Sequence, residues 1–116
     1  MKIQKFEDII AWQKAQDFTI DIYTVFKNVN DFGFKNQITT AVVSISNNIA
    51  EGFDRCSDAD FSRFLYIAIS SCSEVKSMLY LAERLNFIKK EEKVKLLKQA
   101  NEISRIIRGL IKSIKP

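Results

Sequence analysis

The chain has 116 residues, of which 47% are hydrophobic and 28% are charged, and its formal net charge is +4. Its length and apolar content predict one domain, residues 1–116, and the lack of histidine excludes histidine-based zinc sites and catalytic triads. No apolar run approaches the roughly 20 residues that cross a bilayer, and residues 1–8 lack the apolar core of a signal peptide, so we expect a cytoplasmic protein without a membrane-spanning segment. Cys56 and Cys72 are expected to be buried or partly buried thiols rather than a disulfide.

Apolar residues at every third or fourth position predict two helices in the first half of the chain. The first runs from about Phe6 to Asn28, and the Asn-Asp-Phe-Gly sequence of residues 30–33 supplies the turn after it. The second runs from about Lys35 to Phe53, and Gly52 near its end suggests a left-handed cap. The apolar stripes consist of Trp12, Ala15, Phe18, Ile22, Val25 and Val29 in the first helix and of Ile38, Val42, Ile45 and Ile49 in the second.

Two further helices follow in the second half. Residues 57–60, Ser-Asp-Ala-Asp, have the pattern of a helix start, and residues 86–90 form the next connection before a fourth helix from about Lys90 to Ile114. The stripes consist of Phe61, Leu65, Ala68, Cys72, Val75, Leu79 and Ala82, and then of Leu96, Ala100, Ile103, Ile107, Leu110 and Ile114. Four long helices joined by short turns predict an all-α, antiparallel up-and-down four-helix bundle.

The second helix carries almost no charge. Between residues 36 and 54 the only ionisable side chains are Glu51 and Asp54. We expect its neighbours to cover such a helix on most sides. Its polar side chains are short enough to bond to one another or to nearby backbone, and they are Ser44, Ser46, Asn47 and Asn48.

A polar set on the second and third helices is the next candidate site. It comprises Asn47, Asn48, Glu51 and Glu74, and we expect these side chains to form a structural hydrogen-bonded network; a ligand site is the alternative. Without imidazole nearby, the carboxylates are expected to pair or cap rather than to catalyse or hold a metal, so no enzyme activity and no cofactor are expected. The candidate counter-ions, whose pairing the sequence leaves open, are Arg55, Arg63 and Arg84.

The third helix has a second apolar face, away from its core stripe. Tyr66, Ile67, Tyr80 and Leu81 form it, with serines between them. Apolar patches on soluble chains commonly mark association. We therefore predict a homo-oligomer in which this face is the interface.

The fourth helix carries most of the excess positive charge. From Lys89 onward there are 9 basic and 3 acidic residues. Two rows of cations, spaced by seven residues, lie opposite the apolar stripe of this helix, and they are Lys98, Arg105 and Lys112 in one row and Arg108 and Lys115 in the other. Such a basic ridge predicts binding to the phosphate backbone of RNA or DNA; a lysine-rich face that serves only solubility is the alternative.

Four elements of the sequence resemble those of a known family. They are Phe6-Glu-Asp-Ile-Ile-Ala-Trp-Gln-Lys-Ala15, Asn-Ile-Ala-Glu-Gly at residues 48–52, Phe61-x-x-Phe-Leu-x-Ile-Ala68, and Ser71-x-x-Glu74. The chain resembles the four-helix-bundle proteins encoded in 23S rRNA intervening sequences. The resemblance implies a homopentamer that is similar to the accessory proteins of diversity-generating retroelements, which bind nucleic acid and a reverse transcriptase. It implies no enzymatic activity.

The chain departs from the family pattern at one place. The family commonly carries arginine just after a Gln-x pair on the second helix, where this chain has Thr39 and Thr40. The resemblance therefore supports nucleic-acid binding less strongly than it supports the fold. Our leading hypothesis is a non-enzymatic oligomer that binds nucleic-acid backbone through the fourth helix, and the alternative is a protein-interaction or scaffold module that docks a partner protein on the third.

Overall fold

The predicted all-α four-helix bundle is confirmed. The structure, a computed structural model, describes residues 3–114. It contains α1 (Ile10–Phe26), α2 (Phe32–Phe53), α3 (Asp58–Arg84) and α4 (Lys90–Ile114), with a short 3-10 turn at Phe6–Asp8 before α1.

The four helices pack in chain order around one core. Each helix contacts the next along the chain, and α4 returns to contact α1. Among the residues that the structure describes, the diagonal pairs α1/α3 and α2/α4 make no close backbone contact. This pattern, in a body of 45 × 22 × 19 Å, is that of an antiparallel up-and-down bundle.

The first helix begins later than its apolar spacing predicted. Phe6–Asp8 forms the 3-10 turn, and Ile9 has extended backbone angles (φ −76°, ψ 120°) that separate this turn from α1. The Phe6 ring packs against Trp12 with centroids 5.4 Å apart, and Gln13 Nε2 donates to the Glu7 carbonyl at 2.9 Å. These contacts fold the turn back against α1. The apolar residues of this segment keep a helical spacing in the sequence, although the backbone is broken at Ile9.

Side-chain caps fix the starts of the other helices. Asp31 Oδ1 accepts from the Phe34 amide at 3.0 Å, so α2 starts at Phe32 rather than near Lys35. The predicted start of α3 is confirmed, since Ser57 Oγ accepts from the Asp60 amide at 3.1 Å.

Gly52 is not the left-handed cap that its position suggested. It is buried inside α2, and a Cβ built on it would lie 2.5 Å from the Cβ of Phe64. Glycine therefore lets α2 and α3 approach closely. The left-handed residue is Asn86 (φ 62°) at the end of α3, where the amides of Asn86 and Phe87 donate to the carbonyls of Glu83 and Ala82 at 3.0 and 2.9 Å. This is a Schellman cap.

The predicted stripes form most of the core. Every stripe residue of α2 and α3 is buried, whereas Trp12 and Val25 of α1 and Leu110 and Ile114 of α4 are only half-buried. Ala11, Phe26 and Ile111 are buried in their place. A helix of 3.6 residues per turn drifts away from a seven-residue repeat, which shifts the buried stripe at the helix ends.

Candidate nucleic-acid interface

The two faces of α4 differ sharply in polarity. Leu96, Ala100, Ile103, Ile107 and Ile111 are at most 4% exposed and face the core. The opposite face carries the four described residues of the predicted basic ridge, and all of them are exposed, namely Lys98, Arg105, Arg108 and Lys112. Lys115 lies outside the described residues. The buried stripe thus fixes the rotation of α4 so that the ridge faces solvent.

The ridge cations have no acidic partners within residues 3–114. None of the four takes part in a hydrogen bond or ion pair there. Two other charges of α4 are paired with neighbouring helices, since Lys14 Nζ lies 3.5 Å from Glu102 Oε1 and Lys93 Nζ lies 2.6 Å from Glu83 Oε1. The positive charge of the ridge is therefore not neutralised by neighbouring helices.

Hydrogen bonds on both sides hold α4 in place. On the α1 side, Gln99 Nε2 donates to Asp21 Oδ2 at 2.8 Å. On the α3 side, Lys76 Nζ donates to Asn101 Oδ1 at 3.2 Å. Between these flanks the ridge runs from Lys98 to Lys112, which is about 21 Å of helix at about 1.5 Å per residue.

The second apolar face of α3 lies on the outside of the bundle, as its spacing predicted. Tyr66, Ile67, Tyr80 and Leu81 are between 39% and 56% exposed. Lys93 Nζ lies 5.0 Å above the centre of the Tyr80 ring, a cation–π contact that covers only one of its faces. The predicted use of this face in oligomer formation stays a prediction.

The described residues offer neither a metal-binding cluster nor a membrane-spanning helix. Within residues 3–114, no three aspartate, glutamate or cysteine side chains are grouped so that they could hold a metal ion. None of the helices described is both long and apolar enough to cross a membrane.

The comparisons with known proteins agree with the bundle and with its motifs. Residues 7–109 match the profile of the 23S rRNA-intervening sequence protein family. The chain belongs to this family. It is similar to a crystal structure, at 1.70 Å resolution, of a protein with unknown function from the S23 ribosomal protein family of Bacteroides thetaiotaomicron VPI-5482. That likeness has a TM-score of 0.82 and 26% identity, and it covers 89% of this chain and 96% of the other. No curated protein matched.

The Asn-Ile-Ala-Glu-Gly element, one of those on which the family resemblance rests, is divided between two surfaces. Asn48 Nδ2 donates to the carbonyl and hydroxyl oxygens of Ser44 at 2.8 and 2.9 Å, and Ser44 Oγ lies 2.8 Å from Ser71 Oγ on α3. Asn47 and Glu51 are exposed. Because successive helical residues point about 100° apart, Asn47 cannot share the Asn48 contact.

Glu74 of the Ser-x-x-Glu element pairs elsewhere. Its Oε2 accepts from Gln37 Nε2 at 3.3 Å. Within one copy of residues 3–114, then, no hydrogen bond joins the four members of the predicted polar set into one network. Asn48 contributes to the α2–α3 contact, whereas Asn47 and Glu51 point towards solvent.

None of the candidate arginine counter-ions forms an ion pair with Glu51 or Glu74 within residues 3–114. The guanidinium carbons of Arg55 and Arg63 are 4.7 and 4.8 Å from the centre of the Phe64 ring, and Arg63 also pairs with Asp60 at 3.5 Å. Arg84 is exposed at the end of α3 and has no ion-pair partner in the described part of the chain. The charge pattern of the sequence did not predict that Arg55 and Arg63 stack on the Phe64 ring. The signal that could have predicted it is the aromatic residue directly after Arg63, which packs against Gly52.

The two cysteines are free thiols, but only one is buried. Cys72 donates to the Ala100 carbonyl at 3.2 Å and accepts from Ser104 Oγ at 3.3 Å, at the contact of α3 and α4. Burial raises the pKa of the Cys72 thiol above its ordinary value, although the Ser104 hydrogen bond and the Lys76 charge oppose this shift. Cys56 is exposed in the α2–α3 turn, so the expectation that it is at least partly buried was wrong.

Proposed function

We propose that this member of the 23S rRNA-intervening sequence protein family is a non-enzymatic, cytoplasmic oligomer that binds the phosphate backbone of RNA or DNA. One observation carries the proposal: Lys98, Arg105, Arg108 and Lys112 are exposed along one face of α4 and have no acidic partner within residues 3–114.

The chemistry of the ridge favours backbone over base contacts. Cations that neutralise phosphates release condensed counterions, which drives binding and makes it strongly dependent on salt. The ridge residues include no aromatic side chain for base stacking, so this contact selects sequence only weakly.

Self-association strengthens such a contact. We propose that the exposed apolar face of α3 joins subunits through its Tyr80 and Leu81 end, and the family resemblance favours a homopentamer related to the accessory proteins of diversity-generating retroelements. Several ridges in one assembly engage one nucleic acid with a high effective concentration, so a modest affinity per subunit becomes a large avidity.

The test compares two double variants that change net charge equally. Arg105→Gln with Lys112→Gln removes two ridge cations, whereas the control, Lys27→Gln with Arg84→Gln, removes two exposed cations at the opposite end of the bundle. Binding of a fluorescent mixed-sequence RNA and duplex DNA is measured from about 50 to 200 mM salt. For each subunit engaged, the ridge variant is expected to reduce the slope of log affinity against log salt by about 2, and the control to leave it unchanged.

Two results would reject the ridge. One is an absence of binding by the wild-type protein at about 50 mM salt. The other is an equal loss of affinity in both double variants, because net charge rather than the ridge would then govern binding.

The second candidate function is a scaffold that docks a partner protein, and the 56% exposure of Tyr80 and 46% exposure of Leu81 favour it. If the α3 face instead joins subunits, Tyr80→Glu should reduce the assembly mass in light scattering, because it would bury an unpaired charge. An unchanged mass with intact helicity would remove this face from the subunit contact and favour a partner protein. The ridge variants would leave partner binding intact.

A further inference from the structure

A groove opens on the outer side of α3 at the end of the bundle where α4 finishes. Its volume is about 720 Å³, and it is open to solvent. Its walls include an aromatic ring, two aliphatic side chains, a guanidinium, a carboxylate and a hydroxyl, contributed by Tyr66, Ile67, Ile114, Arg63, Asp58 and Ser62.

The antiparallel register places this groove beside the basic ridge. The hydrogen bonds of Lys76 to Asn101 and of Ser104 to Cys72 show which residues of α3 and α4 lie at the same level. Each step back along α3 corresponds to a step forward along α4, so Tyr66 lies level with the segment between Arg108 and Lys112. Arg108 is seven residues after Asn101, so it lies at the edge of the ridge nearest α3.

The groove supplies what the ridge lacks. The aromatic ring of Tyr66 gives a flat surface on which an unpaired nucleobase stacks. The Asp58 carboxylate accepts hydrogen bonds from exocyclic amino groups or ring N–H groups, whereas it repels phosphate. Phosphates are attracted by Arg108 and Lys112, which the register of α3 and α4 places level with Tyr66. The charges therefore fit a base in the groove and the backbone on the ridge.

We propose that the groove at Tyr66 holds an unstacked base of a single-stranded nucleic acid whose backbone lies along α4. This rests on the proposed function and specifies its substrate: single strands bind more tightly than duplexes, whose bases are already paired and stacked. It assigns the Tyr66 half of the α3 face to nucleic acid and leaves Tyr80 and Leu81, about 21 Å away along the helix, for the subunit contact.

The experiment separates base from backbone binding. Fluorescent strands of about 20 nucleotides are prepared as RNA, as DNA and as an abasic DNA strand, together with a duplex. The wild-type protein is expected to bind the normal DNA strand about tenfold more tightly than the abasic one, because the abasic strand keeps the phosphates but lacks the bases that the groove holds. Tyr66→Ala should abolish this difference without changing the salt slope, and Tyr66→Phe should retain it. Tyr23→Ala, at an exposed tyrosine of α1, is the matched control.

The outcomes distinguish this inference from the proposed function. No binding of any strand rejects both. Binding that is equal for normal and abasic strands, or unaffected by Tyr66→Ala, rejects the groove but keeps the ridge. A fall in assembly mass on Tyr66→Ala, measured by light scattering in the same buffer, shows that a second copy rather than a base covers Tyr66, and it also rejects the inference. The RNA and DNA arms show which single strand is preferred.

Discussion

The surface of α2 and the outer face of α4 satisfy their polar groups in opposite ways. On α2 three polar side chains bond to the protein itself: Asn48 to Ser44, Ser44 to Ser71, and Ser46 to Gln16 at 3.0 Å. On α4 the exposed cations find no protein partner within residues 3–114. The same fold therefore contains a helix whose short polar side chains bond across to its neighbours and a helix whose outer cations are left open to solvent.

Two glycines show the same contrast. Gly52 is packed against Phe64, with no room for a methyl group, whereas a Cβ at Gly109 of α4 would meet nothing within 4 Å. Glycine is required for packing in α2, but in α4 it only weakens the helix. The same change, glycine to alanine, therefore probes a different environment at each position.

The largest predicted effect is that of Gly52→Ala. Alanine has the better helix propensity by about 1 kcal/mol, but its Cβ would lie 2.5 Å from the Phe64 Cβ and 3.2 Å from Phe61 Cδ1. Because a Cβ cannot rotate away, the two helices must separate. We expect a net loss of about 2–3 kcal/mol in the free energy of unfolding, measured by urea titration with circular dichroism. Unchanged stability would show that the contact is not close.

The next effect concerns Cys72 of α3, whose thiol contacts Ala100 and Ser104 on the covered side of α4 and has a raised pKa. Because that pKa is raised in the folded protein, the folded state holds the thiol proton more tightly than the unfolded state. Its contribution is fully present below the unfolded pKa of about 8.5 and is lost as pH rises through the folded pKa, by at most about 1.4 kcal/mol per pH unit.

The variant Cys72→Ala isolates this contribution. Unfolding of the wild-type protein is followed between about pH 8 and pH 10.5, and its stability should fall more steeply than that of the variant. Parallel curves would mean that the Cys72 thiol has the same pKa in both states.

The smallest effect is on the open side of α4. Gly109→Ala adds a methyl group in free space within a helix, so it should stabilise the protein by about 0.5–1 kcal/mol. The measurement is the same urea titration, and the sign must be opposite to that of Gly52→Ala. A loss of stability would show that another surface covers this face of α4.

Periodicity and capping predicted the architecture because they are local. The stripes of α2 and α3 and the Ser57 cap lie where the sequence placed them, and four amphipathic helices with short turns leave few alternatives to a bundle. The break at Ile9 escaped prediction because a 3-10 turn that folds back keeps apolar residues at helical spacing.

The remaining features depend on contacts between helices. The packing of Gly52, the Arg55–Phe64–Arg63 stack and the Ser44–Ser71 bond each join α2, or the turn that follows it, to α3, and no sequence pattern shows which residues meet across such a contact. The ridge was predictable because exposure follows directly from the opposite buried stripe. The groove was not, because it combines side chains of α3 with Ile114 of α4.

The most direct test of the central claim is the salt dependence of wild-type binding to a single-stranded RNA, titrated from about 50 to 200 mM salt. If one α4 ridge neutralises about four phosphates, log affinity should fall with log salt with a slope of about −3, and more steeply if several subunits bind one strand. Absence of binding, or an affinity that does not change with salt, would contradict a backbone-binding ridge.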